Sequence, residues 1–157
     1  GLTNTVTIDF TDATIADVPV VFSGDGVAPE IQVENDTPTI LVNATGTQTV
    51  PDPLVGTAFG ASSSHVFEIT NVTGDGSTLN ISNISLSGAN AGEFYLDLST
   101  TNFILTDGSN TTFTVYFQPT AGAVGVVNAT VTIQSNDDPS DGDSEEVFTI
   151  TVQGNGL

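Results

Sequence analysis

Apolar and polar residues alternate with a period of two along most of the chain. Val6, Ile8 and Phe10 are interleaved with Thr5, Thr7 and Asp9, and Val131 and Ile133 with Thr130, Thr132 and Gln134. This is the pattern of strands that turn one face to a core and the other to solvent. Runs of the same kind predict further strands over 18–22, 30–34, 39–42, 65–71, 78–86, 94–98, 102–105, 111–118, 124–135 and 145–153. Turn residues such as Gly74-Asp75-Gly76 and Asp107-Gly108 stand between them. No segment repeats at a helical period. Thr and Val are abundant while Lys, Arg and Met are absent, so propensity agrees with pattern. Strands this short and this closely spaced bury their apolar faces by packing two antiparallel sheets together, which predicts an all-β sandwich.

An internal echo shapes the domain plan. Thr5-Val6-Thr7-Ile8 matches Thr130-Val131-Thr132-Ile133, and Phe22-Ser23-Gly24-Asp25-Gly26 is similar to Val152-Gln153-Gly154-Asn155-Gly156 after a connection of different length. In both places a strand, an acidic loop and a second strand ending in Gly-x-Gly follow one another. Residues 1–27 therefore read as an extra N-terminal β-hairpin, either a donor of strands to another molecule or a remnant of a preceding repeat. Residues 28–157 read as the domain proper.

Several segments of that domain resemble a known family. Pro29-Glu30-Ile31-Gln32-Val33, Gly56-Thr57-Ala58-Phe59-Gly60 and Phe67-Glu68-Ile69-Thr70-Asn71 are followed by Leu79-Asn80-Ile81-Ser82 and Leu86-Ser87-Gly88-Ala89-Asn90-Ala91-Gly92-Glu93-Phe94. Then come Thr112-Phe113-Thr114-Val115-Tyr116-Phe117-Gln118-Pro119-Thr120 and Ile133-Gln134-Ser135-Asn136-Asp137-Asp138-Pro139. In order and spacing these resemble the choice-of-anchor D domain, a bacterial relative of Hydin-type immunoglobulin-like domains. The resemblance implies an immunoglobulin-like antiparallel β-sandwich of about seven strands. It also implies a place in large secreted or cell-surface proteins, where such domains recur in tandem. It specifies core strands and turns and carries no chemistry.

Charge narrows the partners. The chain has 157 residues, no Lys or Arg and 19 Asp plus Glu, for a formal net charge of -19. Binding to nucleic acid or to anionic membrane surfaces relies on Lys and Arg to neutralise phosphate, so both are excluded as partners. No apolar run is long enough to insert in a membrane as a helix. Self-repulsion of this size is relieved by cations or by a saline medium. Cys is absent, so disulfides and thiolate metal sites contribute nothing. The absence of Lys and Arg also leaves trypsin-like proteases no cleavage site. Together with the start at Gly1, this points to a processed protein or a fragment of a longer one, at the cell surface or outside the cell.

Three kinds of residue are candidates for chemistry. His65, the single histidine, follows Ser62, Ser63 and Ser64. Neighbours on a strand point to opposite faces, and no Gly-x-Ser-x-Gly elbow occurs, so no enzyme is expected. The loop from Asp137 to Glu146 holds six carboxylates in ten residues, oxygen ligands suited to calcium. Asp137, Asp138, Asp141, Asp143 and Glu145 are the candidate metal ligands, although the spacing departs from the EF-hand loop. No cofactor is required. Asn-x-Ser/Thr sequons occur at Asn35, Asn43, Asn71, Asn80, Asn83, Asn110 and Asn128, each a possible glycan acceptor.

The surplus hairpin directs the functional expectation. An open strand edge is a template for pairing, and strand addition between identical subunits gives head-to-tail assembly. The leading expectation is a structural subunit of an extracellular filament or surface layer whose partners are copies of itself. Val6, Ile8, Phe10, Val18, Val20 and Phe22 would be the apolar residues of the donated strands. The rival is a passive stalk module of a large tandem-repeat adhesin. A ligand-binding immunoglobulin-like module ranks last, because Trp is absent and Tyr95 and Tyr116 both lie in strand patterns.

Overall fold

The computed structural model describes residues 2–8, 18–24, 28–37, 39–43, 47–49, 61–137 and 146–157. The described strands are β1 (Leu2–Ile8), β2 (Val18–Gly24), β3 (Ile31–Asn35), β4 (Thr47–Thr49), β5 (Ser63–Asn71), β6 (Leu79–Ser87), β7 (Phe94–Asp97), β8 (Ile104–Leu105), β9 (Asn110–Phe117), β10 (Gly125–Ser135) and β11 (Val147–Gly156). A 3-10 turn at Ala91–Glu93 leads into β7. One sheet runs β3-β5-β9-β7 and the other β4-β11-β10-β6-β8, while β1 and β2 pair with each other in a separate two-stranded sheet.

The seven long strands of the sandwich are β3, β5, β6, β7, β9, β10 and β11. Lettered A to G in chain order, they fall into sheets A-B-E-D and G-F-C. This is the constant-type immunoglobulin arrangement, so the chain is an immunoglobulin-like β-sandwich. All pairings within it are antiparallel except that of β4 with β11, where Thr47–Thr49 run parallel to Thr151–Gln153.

The period-two pattern becomes the core. Along β9, Thr111, Phe113, Val115 and Phe117 point inward, and along β11 Phe148, Ile150 and Val152 do the same. Facing side chains come from Phe67 and Ile69 on β5 and from Val131 and Ile133 on β10. Phe67 stacks on Phe113 at 5.2 Å between ring centroids, and Phe94 meets Phe117 at 5.1 Å. Each such residue contributes roughly 1.5–3 kcal/mol through removal of apolar surface from water.

Two departures from simple alternation have local causes. In β6 the buried positions are Leu79, Ile81 and then Ile84. The register against β10 shifts there: Gln134 opposes Asn83 while Ser135 opposes Ile81, leaving Ser82 as the extra residue of a bulge. The predicted strand over 39–42 is reduced to a single bridge between Glu34 and Ile40. The Asn35 side-chain oxygen accepts from the amides of Thr37 and Thr39, at 3.1 and 3.0 Å. That turn folds the chain back so that the Leu41 amide donates to the Val33 carbonyl at 2.8 Å. The outer edge of β3 is thereby covered.

Candidate functional site

The sandwich holds the incoming polypeptide at one defined place. Residues 28–31, which lead into β3, meet three side-chain acceptors. The Ala28 amide donates to Asp75 Oδ2 at 3.2 Å, the Glu30 amide to Asn71 Oδ1 at 3.4 Å and the Ile31 amide to Asp137 Oδ2 at 2.7 Å. The Val72 amide returns a bond to the Glu30 carbonyl at 2.9 Å, and Pro29 between them is buried. These acceptors come from the end of β5, the turn after it and the end of β10. The bonds of residues 28–31 thus reach elements of both sheets.

Asn71 is the hub. It is fully buried, at 0 % exposure. Besides accepting from Glu30, its Oδ1 accepts from Thr73 Oγ1 at 3.2 Å, and its Nδ2 donates to the carbonyls of Ser77 and Leu105 at 2.9 and 3.1 Å. The turn it anchors is held from the other side by Asp107, which accepts from the amides of Gly74 and Gly76 at 2.8 and 3.1 Å.

Several of the described carboxylates accept hydrogen bonds from backbone amides, in a chain that has no Lys or Arg. Asp137 and Asp107 follow this pattern, and so does Glu93, which accepts from the amide and hydroxyl of Thr120. Hydrogen bonds from Ser77 hold the Asp75 carboxyl below the usual carboxylate range, and Ser99 does the same for Asp97.

The acidic-loop candidates divide. Asp137 is 3 % exposed and ties β10 to the start of β3, a structural use of its carboxylate. Asp138, Asp141, Asp143 and Glu145 lie outside the described residues. Among the described residues no group of three or more His, Asp or Glu converges in a metal-binding arrangement.

His65 sits on β5 with Nε2 3.3 Å from Asp36 Oδ1 and its ring 4.8 Å from that of Phe67. Burial pushes its pKa below 6.5, opposed by the negative charge of Asp36. The fold therefore favours neutral His65, and stability is expected to fall as pH drops through about 6.5, where the unfolded chain gains a proton first. Urea denaturation at pH 7.5 and 5.5 checks this. The His65→Gln variant should lose less between the two pH values than the natural chain.

The sequons also divide. Asn71 is closed to glycosylation in the fold, because the nitrogen that would carry the glycan is the buried donor to Ser77 and Leu105. Asn43 is engaged with β11: its Nδ2 donates to the Val147 carbonyl at 3.2 Å and its Oδ1 accepts from the Thr149 amide at 2.8 Å. Asn35 forms the turn beside β3. Asn80, Asn83, Asn110 and Asn128 are exposed.

Of the assembly residues, Val6 and Ile8 lie in β1, and Val18, Val20 and Phe22 in β2. Phe10 lies outside the described residues. In the sequence Asn71 reads only as a possible glycan acceptor and Asp75 and Asp107 only as turn residues, and nothing there joins the three. The signal for Asn71 was its parity with Phe67 and Ile69, which puts it on the inward face of its strand.

No family model matches the chain, and no curated protein matches it. The likeness to the choice-of-anchor D domain thus extends as far as an immunoglobulin-like fold. Among solved structures, the chain is similar to the ASH/PapD-like domain 7 of human CEP192, at 10 % identity and TM-score 0.49, covering 86 % of this chain and 90 % of that one. It is also similar to a protein of unknown function from Porphyromonas gingivalis W83, at 14 % identity and TM-score 0.48, covering 96 % and 79 %. A third similarity is to domains 4 and 5 of the S-layer protein SbsC, at 16 % identity and TM-score 0.38, covering 93 % and 61 %. At this level of similarity the fold assignment rests on the strand order given above.

Proposed function

We propose that the chain is a structural module of an extracellular or cell-surface protein, acting as a spacer whose N-terminal hairpin joins it to a neighbouring domain. The observation that carries this reading is that, among the described residues, β1 and β2 pair with each other and with neither sheet of the sandwich. An isolated two-stranded hairpin is marginal in water, so its stability is to be sought in another domain. The clamp on residues 28–31 supports the same reading, because it fixes the entry point of the chain.

Two arrangements follow from a joined hairpin: a filament of identical copies, or a stalk in one long polypeptide. Edge geometry favours the stalk. Among the described residues, each strand of the hairpin has seven, whereas the edge strands β7, β4 and β8 have four, three and two. The edge of β3 is covered by residues 39–41.

Removal of residues 1–26 is expected to leave the melting temperature of the sandwich within about 3 °C of the full chain, and both proteins should sediment as monomers. Fibres of the full chain that vanish on this deletion would restore the filament. Stoichiometric binding of a ligand at the loops would overturn the structural reading altogether.

A further inference from the structure

The hairpin has the same pairing register as the last two strands of the sandwich. The echo in the sequence sets β1 against β10 at an offset of 125, as in Thr5 and Thr130, and β2 against β11 at an offset of 130, as in Gly24 and Gly154. The two offsets are read independently of each other and imply nothing about pairing. In the structure, Thr5 opposes Val21, Val6 opposes Val20, Ile8 opposes Val18 and Leu2 opposes Gly24. In the sandwich, Thr130 opposes Thr151, Val131 opposes Ile150, Ile133 opposes Phe148 and Val127 opposes Gly154. Each pair of the first set, moved by the two offsets, lands on a pair of the second.

Equivalent register means equivalent faces, because a slip of one residue would reverse every side chain. Val131, Ile133, Phe148, Ile150 and Val152 fill the core, and their counterparts are Val6, Ile8, Val18, Val20 and Phe22. Gly154 gives a sharper test. A Cβ there would lie within 2.6 Å of Phe117 Cε2, so the residue is glycine because an aromatic ring from β9 occupies the space. Gly24 holds the same position in the hairpin. Asp12 likewise falls at the offset of Asp137, the carboxylate that ties β10 to β3. The departure is Asn4, which stands at the place of the buried Ala129.

We propose that Leu2–Ile8 and Val18–Gly24 are the last two strands of a preceding domain of this same fold, whose remaining strands supply the partner face. The proposal rests on the joint described above and names what lies on its other side. An intact copy of this sandwich cannot be that partner, since its own β10 and β11 fill the place.

The test supplies the missing face while keeping the chain whole. Residues 28–126 are fused directly before residue 2 of the full chain, so that β1 and β2 follow a second set of strands β3 to β9 in register. The fusion is expected to be monomeric, with a calorimetric unfolding enthalpy about twice that of the chain itself. Gly24→Ala, which should be silent in the chain, should unfold the added domain within the fusion. Because Asn4 could prevent folding by its size and polarity, the fusion is also made with Asn4→Ala. An added segment that stays unfolded in both versions, or folds indifferently to Gly24→Ala, overturns the proposal. Fibre formation by the natural chain would refute the spacer reading while leaving this result untouched, so the two failures are distinguishable.

Discussion

Gly154→Ala is expected to destabilise the sandwich by about 3 kcal/mol, the upper end of what overpacking a core costs. The Cβ would fall against the Phe117 ring. Phe117 is itself at 0 % exposure and packed on Phe94, so the ring has no vacant space to enter. The strand cannot retreat either, because Gly154 opposes Val127 in the ladder that joins β11 to β10. Urea denaturation measures the loss. A double-mutant cycle assigns its cause: Phe117→Ala removes the obstacle, so the two changes together should cost clearly less than the sum of their separate effects. A neutral Gly154→Ala would mean that the ring can yield.

The second large effect is at Asn71. Asn71→Ala leaves the carbonyls of Ser77 and Leu105 without their side-chain donor and the amide of Glu30 without its acceptor, at a cost of about 3–4 kcal/mol in total. Asn71→Asp keeps the shape and should cost more at neutral pH, because a carboxylate would face two carbonyl oxygens. Burial and those oxygens favour its protonated form in the fold and raise its pKa above the unfolded value near 4. The penalty is therefore full above the folded pKa and shrinks as pH falls through it, since a carboxylic acid can again donate. Denaturation at pH 7 and pH 4 checks the sign. Equal stability of Asn71→Asp and the natural protein at pH 7 would show that the amide donates nothing of value.

Both effects show which part of the molecule is legible in a sequence. Alternation located nearly every strand, because Phe113, Val115 and Phe117 on β9 or Phe148, Ile150 and Val152 on β11 must all face one way to be buried. It failed where side chains and not periodicity direct the backbone. Asn35 turns residues 39–41 back onto β3, and the bulge at Ser82 lets Ile81 and Ile84 share a face. β4 was missed because three residues, Thr47 to Thr49, paired in parallel with β11 carry no period to detect. The clamp was read only as sequons and an acidic loop. Asn71 and Asp137 are polar residues whose partners are backbone amides and carbonyls, most of them distant in sequence, so no local pattern along the chain reveals those hydrogen bonds. The echo between the hairpin and β10–β11 is visible in the sequence and allows either a donated hairpin or the remnant of a preceding repeat, whereas the matching register is a property of two paired strands that neither strand carries by itself.

Hydrogen exchange on the full chain puts these two matched ladders side by side. Val6 and Val20 pair as Val131 and Ile150 do, so local geometry gives them no reason to differ, and any difference in protection reports what covers them. The amides of β10 and β11 are expected to exchange at the rate of global unfolding, and those of β1 and β2 at least about a hundredfold faster. Equal protection of the two hairpins would show that β1 and β2 are already at home in this chain, and would contradict their assignment to another domain.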